Sequence, residues 1–76
     1  MNRLRRKDLA RIQAAIEALR EELELVMEDE EEAMDNMPES LWGSERYEAM
    51  EEAVSNMELA LDSLEEAASY IEEAAA

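Results

Sequence analysis

NMPESLWGS, residues 36–44, contains the only proline (Pro38) and the only glycine (Gly43) of the chain, and its reading decides the fold. Proline inside a helix removes a backbone donor and clashes with the preceding turn, and glycine weakens a helix, so the stretch punctuates two long segments. Upstream, Leu9, Ile12, Ile16, Leu19, Leu23, Val26, Glu30, Ala33 and Met37 recur three and four residues apart, and Glu30 alone breaks the apolar series. Downstream, Tyr47, Met50, Val54, Met57, Leu61, Leu64, Ala68, Ile71 and Ala75 keep the same alternation. A seven-residue repeat keeps one helix face turned toward a partner. The expected fold is all-α: an antiparallel coiled-coil helical hairpin with a basic arm over 1–7, helices over 8–36 and 44–76, and a turn over 37–43. One continuous helix would hold Pro38 and Gly43 in its interior, at about 3 and about 1 kcal/mol relative to Ala.

Pairing residues whose numbers sum to 80 makes layers such as Leu9/Ile71, Leu19/Leu61, Val26/Val54 and Glu30/Met50. Of the eight layers that run from Leu9/Ile71 to Ala33/Tyr47, seven are apolar on both sides. A charge in such a seam costs stability but can fix register, the role expected of Glu30. The two flanks of the second seam differ. One carries Glu51, Glu58, Glu65 and Glu72, with Arg20 as a candidate partner of Glu65 or Glu58. The other carries Ala53, Ala60, Ala67 and Ala74, which neither need solvent nor hold helices apart, and is expected to be an oligomer interface. Ser44 is a good N-cap for the second helix, with Glu45 and Glu48 in its first turn, and Pro38 can open a short turn through Leu41.

The chain has 76 residues, and 13 of its hydrophobic residues are Ala. A single domain of this size is marginal, and a two-helix layer has no covered interior, so assembly into a four-helix bundle or larger homo-oligomer is expected. There is no Cys or His, which removes thiolate zinc sites, nucleophilic Cys and imidazole acid/base chemistry. Neither catalytic, cofactor-binding nor metal-binding residues are therefore assigned. The acidic run of residues 28–32 points around a helix rather than toward one cation, which makes it a solvated face. Residues 1–11 hold five basic residues against one acidic, and residues 12–76 two against 21, for a net charge of −15. Glu66, Glu72 and Glu73 are expected to neutralise Arg3, Arg5, Arg6 and Lys7, either within the chain or in a neighbouring copy, and the acidic remainder disfavours nucleic acid as a partner. No apolar h-region follows the basic start and no run of 18 apolar residues occurs, so the expectation is a cytoplasmic protein without a membrane span.

Most of the Met residues gather toward the turn with Leu41, Trp42, Arg46 and Tyr47, a composition suited to partner binding. The alternative is that Trp42 caps the open end of the hairpin. DNMPESLWGSERYE (residues 35–48), with RRK near the start and Glu-rich heptads on both sides, resembles a group of small acidic helical proteins of gut bacteria and their phages and prophages. Where that group usually has Gln after the Ser-Leu pair, this chain has Trp42. The resemblance transfers no catalytic or ligand residue. It implies a mobile-element context, in which short acidic proteins act as inhibitors or decoys of host defence proteins. The leading expectation is a non-enzymatic, self-associating hairpin that binds a host protein. One alternative is an acidic mimic of nucleic acid; another is an oligomeric sponge for a small nucleotide signal, using Arg46, Tyr47 and the N-terminal arginines.

Overall fold

The computed structural model describes residues 1–76 and contains two long helices, α1 (Arg3–Asp35) and α2 (Glu45–Ala75), joined through a 3-10 turn at Glu39–Leu41. The helices pack against each other as an all-helical hairpin measuring 59 × 14 × 12 Å. Helix α1 begins at Arg3, ahead of the expected residue 8, because the Asn2 side chain accepts a hydrogen bond from the Arg5 backbone N–H at 2.9 Å and caps it. The basic arm is thus the first turns of α1. Its charges oppose the positive end of the helix dipole, so these turns rest on the cap and on continuity with the rest of the helix.

The turn follows the local chemistry. Pro38, with φ −56° and ψ 140°, precedes the 3-10 turn, in which the Leu41 N–H donates to the Pro38 carbonyl at 2.9 Å and the Trp42 N–H to the Glu39 carbonyl at 3.1 Å. Gly43 reverses the chain at φ +89°, a backbone conformation that side chains disfavour. Ser44 then caps α2: its hydroxyl oxygen accepts from the Tyr47 N–H at 3.2 Å, and Glu45 and Glu48 stand in the first turn.

On α2 the expected seam is the observed one. Tyr47, Met50, Val54, Met57, Leu61, Leu64, Ile71 and Ala75 are half-buried, and Ala68 is the one fully buried residue of the molecule. On α1 the seam is different from the expected one. Leu9, Ile16, Leu23, Glu30 and Met37 are half-buried, but the residues between them in the seam are Gln13, Arg20, Met27 and Met34. Ile12, Leu19, Val26 and Ala33 are exposed. The two observed seams match layer for layer when facing numbers sum to 84, which corrects the expected 80: Leu9/Ala75, Ile16/Ala68, Leu23/Leu61, Met27/Met57, Glu30/Val54 and Met37/Tyr47. The Arg20–Glu65 ion pair, 3.9 Å long, agrees with this alignment, as does a groove that Met34 lines together with Glu51 and Val54.

The reason lies in the side chains around the shared row. That row, Leu9 to Met37 by sevens, has Ile12, Leu19 and Val26 three residues on and Gln13, Arg20, Met27 and Met34 four residues on. The second set is unbranched and flexible. Its stems lie along the α2 seam while the amide and guanidinium ends reach the edge. Ile12, Leu19 and Val26 are thereby left on the outside of the hairpin.

Candidate functional site

Three surfaces follow from this arrangement. The first is the tip. The Trp42 indole N–H donates to the Met37 carbonyl at 3.0 Å, and its ring stacks on Tyr47 with centroids 6.0 Å apart and planes 26° apart. Trp42 is 49% exposed even so, and Leu41 and Arg46 beside it are exposed as well. One part of the indole folds onto Tyr47 across the end of the seam, as expected of a cap, and the other faces solvent. Leu41, Trp42, Arg46 and Tyr47 are brought together at one end of the molecule. Lying at that end, Arg46 and Tyr47 are far from the arginines at the start of α1 in a chain 59 Å long, so one hairpin does not join the two groups in a single nucleotide site.

The second surface is acidic. Glu31 of α1 and Glu51 and Glu58 of α2 line one open groove, and the Arg20–Glu65 pair lies on the same side. Helical spacing places Glu17, Glu24 and Glu31 along this side of α1 and Glu51, Glu58, Glu65 and Glu72 along that of α2; all seven are exposed. In the acidic run, Glu28, Asp29, Glu31 and Glu32 are exposed while Glu30 is half-buried at the seam. No cluster of acidic side chains has the arrangement of a metal site. Arg20–Glu65 is the one ion pair within the chain. The expected neutralisation of Arg3, Arg5, Arg6 and Lys7 by Glu66, Glu72 and Glu73 does not occur in the hairpin, because α2 ends at Ala75, level with Leu9, and those basic residues stand beyond it.

The third surface is opposite the acidic one. Ala53, Ala60, Ala67 and Ala74 run along α2 there, Ala60 and Ala74 exposed and Ala53 and Ala67 half-buried. The row that faces them across the hairpin is Ile12, Leu19 and Val26 of α1, with Leu19 and Val26 each 56% exposed. Sequence reasoning assigned the Ala row to a surface but placed these three residues in the internal seam. The signal that could have separated the two is the apolar width of α1, which exceeds what one neighbouring helix can cover.

No helix is long and apolar enough to cross a membrane. In comparisons with protein-family models, curated proteins and solved structures, the chain matches none.

Proposed function

We propose that this protein is a non-enzymatic, self-associating helical hairpin that acts by binding a macromolecular partner, a host protein, through its tip. The observation that carries the reading is Trp42, half exposed yet held by a hydrogen bond to Met37 and by stacking on Tyr47. A large aromatic presented in one orientation loses little conformational freedom on binding, which is the property of an interface hot spot. The absence of Cys and His from the sequence, and the display of carboxylates along open helices, support a binding role over catalysis. The resemblance of residues 35–48 to small acidic phage and prophage proteins supports a cytoplasmic inhibitor of a bacterial defence protein.

The acidic face supports a second reading, mimicry of nucleic acid, in which seven aligned glutamates occupy a basic groove of the partner. Affinity capture from bacterial lysate with the wild type and Trp42→Ala, at low and high salt, separates the two. The tip reading expects a protein that Trp42→Ala loses by about tenfold or more while the hairpin stays folded by circular dichroism. Capture that salt abolishes and Trp42→Ala leaves intact overturns it in favour of mimicry.

A further inference from the structure

The hairpin leaves its more apolar row in water. Leu19 and Val26 are each more than half exposed, while Gln13, Arg20 and Glu30 take half-buried places in the seam. Beside the exposed row runs the Ala row of α2, so an apolar strip of both helices lies on this side, bordered on the α1 edge by Glu22 and Asp29, while the row of seven glutamates lies on the other side. Ile12 to Ala33 of α1, with Ala53 to Ala74 of α2 beside them, extend over about 32 Å at 1.5 Å of rise per residue. We propose that this face is the seat of a second copy of the same chain, docked face to face with its turn at the opposite end of the bundle. The proposal deepens the self-association part of the reading above and rests on it.

Self-complementarity is the first argument for that occupant. A two-fold axis passing beside Leu19 puts the Leu19 side chains of the two copies together and sets Ile12 of each against Val26 of the other, because 12 and 26 are equally distant from 19. The same axis interleaves the two Ala rows, since the register puts Ala74, Ala67, Ala60 and Ala53 level with residues 10, 17, 24 and 31 of α1. Ala on both helices allows them to approach at the short end of the 8–10 Å range of helix packing. The two matches arise from one operator, as an isologous interface requires.

Charge gives the orientation. Residues 1–11 hold five basic residues against one acidic, whereas residues 28–52, around the tip, hold one against eleven. Docking with the turns together would set Leu19 over the Ala row but would also stack the two strongly acidic ends. Opposed turns instead lay the basic start of α1, which stands past the end of its own α2, over the acidic run of the second copy. The net charge of −15 per chain still resists association. Its distribution selects the orientation.

Because the chain has no cysteine, a Ser40→Cys variant carries a single spin label at the exposed turn. Dipolar distance measurement on the assembled variant is expected to place the two labels about 60 Å apart at 1.5 Å of rise per residue. Labels within about 30 Å would show turns at the same end and overturn the orientation while leaving self-association in place. Leu19→Glu is expected to weaken dimerisation at least about tenfold, since it buries a carboxylate at the axis. A dimer of undiminished affinity would show that another face is used. A chain that is monomeric at every concentration would overturn both the inference and the self-association beneath it.

Discussion

Glu30 sits half-buried in the seam beside Val54, where a carboxylate keeps part of its hydration at the expense of packing between the helices. Leu at this position removes the desolvation cost and adds apolar contact. Glu30→Leu is expected to raise the melting temperature by about 4–8 °C, the shift that about 1 kcal/mol produces in a domain of this size. Circular dichroism melting of the two chains at matched concentration checks it, and an unchanged or lower value would place Glu30 outside the seam. Arg20 is the contrasting case. Its pair with Glu65 is 3.9 Å long and the Glu65 side chain is 70% exposed, so the charge contact adds little and the stem of Arg20 is what the seam uses. At the tip, Trp42 loses its stack on Tyr47 and its hydrogen bond to the Met37 carbonyl when replaced by Ala, and these two partners form the end layer of the seam. The loss is confined to that end layer, so partner capture read beside the melting curve separates an effect on binding from one on folding.

Each helix is explained by its ends as much as by its stripe. The Ser44 hydroxyl satisfies the Tyr47 N–H at the start of α2, and Ser44→Ala is expected to cost about 1 kcal/mol, read as a lower melting midpoint with the same helical content at low temperature. The turn was legible in the sequence for this reason: Pro38, Gly43 and Ser44 each have a backbone role that few other residues fill, and they stand in the order the roles require. Helix α2 was legible for a related reason. Its seam is bounded by glutamates on one side and alanines on the other, so no rotation about its axis buries more apolar surface. Helix α1 has no such boundary, because both flanks of its central row carry residues that can lie against another helix. Periodicity alone assigns Ile12, Leu19 and Val26 to the seam. The structure instead uses Met27, Met34 and the stems of Gln13 and Arg20. The start of α1 is less legible, because basic residues near a helix N-terminus oppose the dipole while the Asn2 side chain caps the backbone there. Of the candidate surfaces, the tip and the Ala row could be named from residue type; the apolar face as a whole became visible only once the rotation of α1 was known.

For the molecule as a whole, the burial of a single residue, Ala68, out of 76 is the governing fact. A hairpin with so little interior lacks the covered apolar surface that stabilises independent domains, yet it displays Leu19, Val26 and the Ala row along one side. In the proposed dimer, covering that face would join two hairpins into a four-helix bundle and supply the missing core. Against this stands the repulsion between chains of net charge −15, which added salt screens while leaving apolar burial intact or slightly strengthened. The most direct test of self-association is therefore the mass in solution, measured by light scattering on a size-exclusion column at low and at high salt. The account predicts a species of at least two chains whose population grows with salt. A folded monomer at both salts would contradict it.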